Sequence, residues 1–277
     1  MRVRYDSYVA IKVRPILKWA GGKSGLLSQM WPHFPVDFER YVEPFVGGAA
    51  VFLSLPDPKP ALLNDSNGEL IHLYRTVRDH PRELAAVLSE FTLLYSEEFF
   101  YALRDEKPEE ALRRAARTIF LNKTGFNGLY RMNSREQFNV PFGKRPKCPA
   151  LFNMENLLRV AEKLKTATLS HADFEVVLDQ ASAGDFIYCD PPYAPVSKTA
   201  SFTSYTHRGF SLDEQTRLKH AADRARARGA RVVVSNSWTE EMLKLYSDWR
   251  IVEIKARRAI NSDGGGRGKV SELLAVG

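Results

Sequence analysis

The residues best suited to do chemistry stand at one corner of the chain. Asp190-Pro-Pro-Tyr193 follows directly on the apolar run Asp185-Phe-Ile-Tyr-Cys189. That run reads as a buried strand. Two consecutive prolines, which lack N–H groups and fix φ, must end it in a rigid turn. Such a turn carries a carboxylate, free carbonyls and an aromatic ring, and it suits a planar amine. The lone pair of an exocyclic amino nitrogen, as on adenine, is delocalised into its ring and must be recovered before the nitrogen can accept a carbon. Acceptors on its two N–H bonds favour that change: the carboxylate of Asp190 can take one and the main-chain carbonyl of Pro191 the other. Pro192 stiffens the turn, and Tyr193 offers a flat face to a base extruded from a duplex. The same four residues would also serve as a structural strand end with a packed tyrosine; their position downstream of a nucleoside-like site favours the chemical reading.

That second site is read from three segments. Tyr41-Val-Glu-Pro-Phe-Val-Gly-Gly-Ala-Ala50 is a strand, a glycine turn and a helix start, where small residues let backbone approach a ligand above a strand end. Glycine turns of this kind are common, so the run alone is weak. Ala61-Leu-Leu-Asn-Asp65 is another apolar strand ending in a carboxylate, placed where an acidic side chain can bind ribose hydroxyls or simply cap the helix after it. Together the two favour a bound nucleoside. Gly22-Lys23-Ser24 ends like a phosphate-binding loop, but the glycine that loop requires upstream is Leu17, so an NTPase is excluded. The glycines between Trp19 and Lys23 instead suit a loop that lays an aromatic face and a cation against a ligand carrying a ring and a carboxylate, or one whose Trp is core.

The elements that must position these residues follow from the hydrophobic pattern. Short β-like runs at 41–46, 61–64, 167–171, 185–189, 231–235, 251–257 and 270–276 alternate with amphipathic stretches, as in a sheet covered by helices. Between residue 78 and about residue 166 the strand rhythm stops. Helical patterns run to Asn122, followed by Asn122-Lys-Thr-Gly-Phe-Asn-Gly-Leu-Tyr-Arg131, which has no clean period and reads as a hairpin or loop. The stretch from Ser262 to Gly268 reads as a flexible turn, and the loop 257–267 as either a phosphate contact or a solvated turn. Ser235-Asn236-Ser237-Trp238 could wall a base pocket or cap the helix after it.

Composition sets outer bounds. The 277 residues, 44% hydrophobic, suffice for one sizeable α/β core with an inserted subdomain. Lys plus Arg is 40 against 33 for Asp plus Glu, a net charge of +7, which permits a polyanionic partner without requiring one. Cys148 and Cys189 stand in unrelated contexts, so neither a zinc site nor a disulfide framework is expected and a reducing cytoplasm fits. No leader or membrane-spanning run is read, and the scattered histidines form no hydrolase motif.

Over nearly its whole length the chain resembles the DNA adenine methylase (Dam) family, amino-methyltransferases of the alpha order. The stretches that carry the resemblance are Leu17-Lys-Trp-Ala-Gly-Gly-Lys23, Glu43-Pro-Phe-Val-Gly47, Asn64-Asp65, Asn127-Gly-Leu-Tyr-Arg131, Phe138-Asn-Val-Pro-Phe-Gly143, Tyr188-Cys-Asp-Pro-Pro-Tyr-Ala-Pro195 and Lys269-Val-Ser-Glu-Leu273. The resemblance implies a Rossmann-like methyltransferase fold with a seven-stranded sheet, a catalytic domain of residues 1–77 and 167–277, and a helical and hairpin target-recognition subdomain of residues 78–166. It implies S-adenosylmethionine as cofactor, held by Trp19, Lys23, Glu43, Phe45, Gly47, Asp65 and Asp190, with Asp190, Pro191, Pro192 and Tyr193 catalytic and no metal. It implies double-stranded DNA read by Phe126, Asn127, Leu129, Arg131, Pro141, Lys144 and Arg145, with Arg131 on a guanine of a GATC-like site. Ala49 departs from the family, which often has a further glycine there. A monomer, with or without a companion restriction endonuclease, completes the expectation. The competing readings are a DNA-binding module without catalysis and a methyltransferase acting on RNA or a protein amide.

Overall fold

In the computed structural model the described residues are 13–56, 59–133, 137–194, 210–257 and 269–277. The turn expected at 262–268 and the loop at 257–267 lie outside them, apart from Arg257. Seven strands form one sheet: β1 (Arg40–Glu43), β2 (Ala61–Asn64), β3 (Ala167–Ser170), β4 (Asp185–Cys189), β5 (Arg231–Ser237), β6 (Arg250–Arg257) and β7 (Lys269–Val276). Their order is β3-β2-β1-β4-β5-β7-β6. The β2–β3, β1–β4 and β4–β5 pairs are parallel, whereas β7 runs antiparallel to both β5 and β6. Every residue of β4 is buried, as a parallel strand covered on both faces requires.

Strand ends shift where local chemistry demands it. The strand expected over 41–46 stops at Glu43, because Pro44 cannot donate to a ladder. The strand expected over 231–235 continues to Ser237, carried by its pairing with β7 as far as Glu272. Asn122 to Thr124, expected in a loop, belong to helix α6 (Ala111–Thr124). The buried amide of Asn122 satisfies the backbone of Lys18 and the carbonyl of Gly128, a tertiary reason for helix that the period of the segment does not contain.

The chain divides into two compact units. The first, the described residues up to Gly22 together with Val46–His171, holds β2, β3, α2 (Ala50–Ser54), α3 (Gly68–Asp79), α4 (Pro81–Leu93), α5 (Glu97–Asp105), α6 and α7 (Met154–Leu164). Its helices close on an aromatic cluster of Phe91, Phe99, Phe100 and Phe120, with ring centroids 5.3 to 6.5 Å apart. Helix α7 buries Leu157, Val160, Ala161 and Leu164, one stripe at helical spacing. The second unit, Lys23–Phe45 and Ala172–Gly277, holds β1, β4 to β7, α1 (Leu27–Met30), α8 (Phe174–Asp179), α9 (Leu212–Ala227) and α10 (Glu240–Leu245). Phe34, Phe38, Tyr41 and Phe186 pack together there, and Asp185 at the start of β4 is tied down by Nε and Nη2 of Arg40, at 2.9 and 2.6 Å.

Candidate functional site

The proline corner lies in the second unit, at the end of β4. Asp190 is the first residue beyond the buried strand, its side chain 22% exposed. Lys23, almost fully buried, places its ammonium 2.8 Å from Oδ1 of Asp190, and Ser235 on β5 donates to the same oxygen at 2.7 Å. Among the described residues no hydrogen bond to Oδ2 accompanies these two contacts on Oδ1. One carboxylate oxygen is thus anchored by a cation and a hydroxyl. Ser235 is itself fixed by the hydroxyl of Tyr188 at 2.9 Å. Two residues further, Tyr193 donates to Glu272 on β7 at 2.8 Å, and the Lys23 ammonium lies 4.8 Å from the centre of its ring. Burial, and then the charge of Asp190, push the Tyr193 hydroxyl well above its ordinary range, so it stays a neutral donor.

Burial also holds the Glu272 carboxyl above the usual range, against Lys23 and the Tyr193 hydrogen bond, which pull it down. Folding therefore favours protonated Glu272. Its stabilising share is present below the ordinary glutamate range and is lost as pH rises through the raised folded value. Glu272→Gln removes that titration, so its Tm relative to the parent should climb by a few degrees between about pH 4 and about pH 8. Thermal melts across the range check it; a difference independent of pH would refute the assignment.

The glycine turn belongs to the first unit from Val46 onward. Gly47 has φ 43°, its N–H donates to Oδ2 of Asp65 at 3.0 Å and its carbonyl accepts from Tyr74 at 2.7 Å. The other Asp65 oxygen accepts from the Asn67 N–H at 3.0 Å. Helix capping falls to Asn67, whose side chain accepts from the N–H groups of Glu69 and Leu70. Asp65 is thus a brace between strand end and glycine turn, and burial raises its carboxyl above the ordinary value despite those two bonds. Trp19 lies against the turn: a Cβ on Gly47 would come within 2.7 Å of its indole nitrogen, and one on Gly48 within 3.1 Å of its Cβ. Ala49, the departure from the family pattern, takes φ 56°, a left-handed conformation that costs a non-glycine residue about 1 to 2 kcal/mol.

Phe45, in the second unit, packs at 5.3 Å on Phe174 and 5.7 Å on Phe210, while Arg217 stacks 4.2 Å from the Phe174 ring. Glu43 is 3% exposed, inside the core at the end of β1. Lys23 was expected to meet a ligand carboxylate; here its ammonium meets that of Asp190.

The segment after α6 folds back as a hairpin within the first unit. Phe126 N–H donates to the Pro141 carbonyl at 2.9 Å, Asn139 N–H to the Arg131 carbonyl at 3.0 Å, and Asn133 N–H to the Gln137 carbonyl at 2.8 Å; residues 134–136 lie outside the described residues. Tyr130, Phe138, Val140 and Phe142 are buried, whereas Phe126, Asn127, Arg131, Pro141 and Lys144 are exposed, and Leu129 and Arg145 are intermediate. Alternate side chains thus anchor the hairpin and leave its polar residues outward. Asn139 braces the exposed Arg131 guanidinium, accepting from Nε at 2.8 Å. Tyr130 stacks on Trp19 with ring centroids 5.1 Å apart, so hairpin and glycine turn share an aromatic contact.

Comparison with known proteins decides what this geometry belongs to. The model of the D12 class N6 adenine-specific DNA methyltransferases matches residues 19–260. A type II methyltransferase, M1.LlaDCHI of Lactococcus lactis subsp. cremoris, is 38% identical over 96% of each chain. M.MjaIII of Methanocaldococcus jannaschii is 39% identical over 96% of this chain and 99% of its own, and the DNA adenine methylase of Escherichia coli K12 is 40% identical over 96% and 95%. The chain belongs to the D12 class N6 adenine-specific DNA methyltransferases. It is an adenine-specific DNA methyltransferase, and it acts with a methyl donor on DNA.

Several residues around the methyltransferase corner escaped the sequence. Ser235 was read as a pocket wall or a helix cap; it anchors Asp190, and the cap of α10 is Thr239. Glu272 lay inside a matching stretch, but nothing local points it at Tyr193. Phe174 and Phe210 sit in ordinary amphipathic surroundings, and only packing reveals them beside Phe45. Among the described residues no helix is long and apolar enough to cross a membrane.

Proposed function

We propose that this methyltransferase moves the methyl group of S-adenosylmethionine to N6 of an adenine flipped out of duplex DNA at GATC-like sites. The observation that carries the reading is the proline-locked Asp190, with Oδ1 held by Lys23 and Ser235 and Oδ2 still available. Oδ2 accepts one N6 hydrogen and the Pro191 carbonyl the other, which draws the nitrogen lone pair out of conjugation as the new bond forms. Rigid placement matters because the acceptors must already stand where charge develops, so little reorganisation remains at the moment of transfer. Tyr193, fixed through Glu272, stacks on the extruded base.

Within the first unit the residues present suit the cofactor: a braced carboxylate at Asp65 for ribose hydroxyls and a positive-φ glycine turn under Trp19. S-adenosylmethionine, when bound, supplies an electrophilic methyl carbon on a sulfonium. We assign catalysis to residues 1–77 and 167–277 and target recognition to 78–166. Phe126, Asn127, Arg131 and Lys144 support that division, being exposed on or beside a hairpin with a buried apolar face.

Incubation with labelled cofactor and duplexes, followed by mapping of N6-methyladenine, tests the reading. Label in GATC duplexes and none in duplexes lacking adenine at that position is expected; an unlabelled GATC duplex, or equal label on all adenines, would overturn it. Arg131→Ala should cost roughly 1 to 3 kcal/mol of discrimination at one base pair, through loss of a bidentate guanine contact. Affinities for duplexes substituted one position at a time check this, and uniform weakening would make Arg131 a phosphate contact instead.

A further inference from the structure

We infer that Gln215 on α9, oriented by Asn236 on β5, is a positioning residue that fixes the Asp190 to Ala194 corner through the carbonyl of Pro192. The two prolines remove two consecutive N–H donors from this corner, so a strand ladder cannot continue through it and side chains must help to hold it. The side chains of Gln215 and Asn236 are both fully buried. Asn236 Oδ1 accepts from the main-chain N–H of Ala194 at 3.1 Å and of Ser237 at 2.9 Å. Two N–H donors at one atom define it as the oxygen, which turns Nδ2 toward Gln215 Oε1 at 2.9 Å. That in turn makes the remaining Gln215 group the Nε2 donor, 2.9 Å from the Pro192 carbonyl. The relay has one self-consistent orientation, set by backbone at one end and delivered to backbone at the other. Ser237 adds a hydroxyl donated to the Ala194 carbonyl at 2.8 Å.

The consequence is selective. Of the two proline carbonyls, that of Pro192 accepts from Gln215, whereas among the described residues none donates to the Pro191 carbonyl, which is the one that accepts from an amine in this reading. The relay also restrains the peptide on both sides of Tyr193, the residue proposed to stack on the base. This inference rests on the reading of the corner as the amine acceptor. Gln215 touches neither the amine nor the methyl donor in that reading, so its loss should displace the acceptors without removing them.

The test uses the full chain and two substitutions. Gln215→Met keeps length and deletes the bonds. Asn236→Asp keeps the acceptor for Ala194 and Ser237 but cannot donate to Gln215. Each should lower the single-turnover rate of methyl transfer to a GATC duplex by about 10- to 100-fold, as small misplacements of reacting groups do. Dissociation constants for S-adenosylmethionine and for the duplex should stay within about twofold, which also shows that the variants are folded. A parent-like rate in Gln215→Met, or rate and both affinities falling together, would overturn the inference. Asp190→Ala measured alongside separates the two levels: if it too retains turnover, the acceptor reading itself fails, whereas loss in Asp190→Ala with full activity in Gln215→Met removes only the role of Gln215.

Discussion

Asp190→Ala is expected to lower the single-turnover rate of methyl transfer by about 100- to 1000-fold, the usual effect of deleting one preorganised hydrogen-bonding group aimed at developing charge. Donor and DNA affinities should fall far less, because in the proposed reading the Oδ2 acceptor does most for the amine as its nitrogen leaves conjugation. The substitution also removes an anion 2.8 Å from the almost fully buried Lys23 ammonium, so some stability is lost with it. Asp190→Asn separates the two effects. It keeps the shape and the oxygen that Lys23 and Ser235 hold, but it turns an amide donor toward an amine whose N–H groups are also donors. A large loss of rate in the Asn variant with a near-parent Tm would place the defect in chemistry. Turnover near the parent level in both variants would refute the acceptor role.

The second large effect is expected at the glycine turn. Gly47→Ala meets two obstacles at once. Its φ of 43° costs an L-residue about 1 to 2 kcal/mol, and the new methyl would stand 2.7 Å from the Trp19 indole nitrogen. The indole must move or the turn must open. Opening the turn pulls the Gly47 N–H off Asp65 and its carbonyl off Tyr74. Donor affinity should fall by about 100-fold, with turnover at saturating donor reduced much less. Isothermal titration with S-adenosylmethionine and initial rates against its concentration check the split. A parent-like Kd would show that the turn does not hold the donor.

Trp19→Ala would be a less informative substitution than Gly47→Ala, because its ring serves two neighbours. It covers the glycine turn and also carries Tyr130 of the hairpin. Removing it would disturb both, whereas the extra methyl on Gly47 acts first on the turn.

Much of the fold was legible because it rests on local rules. The run from Asp185 to Cys189 is apolar throughout and ends in two prolines, so a doubly covered strand and its stop could both be placed. Gly47 and Gly48 after a strand, and Asp65 after another, announced a turn and a carboxylate, each at a strand end. The hairpin residues were recognisable from Gly125, Asn127 and Gly128. Its anchoring was not, since burial of Tyr130 and Phe138 depends on which surfaces they meet.

By itself the sequence determined which groups are available: a carboxylate before two prolines, a glycine turn, an arginine on a hairpin. Only the tertiary structure decided their partners. Lys23, Ser235, Gln215 and Glu272 are remote from Asp190-Pro-Pro-Tyr193 along the chain, and strand order and register bring them there. Glu272 faces its task because β7 pairs antiparallel with β5 in a register that sets Glu272 opposite Ser237. A slip of one residue would turn it to the other face of the sheet, and that choice is made by the packing of the whole core rather than by any neighbour in sequence.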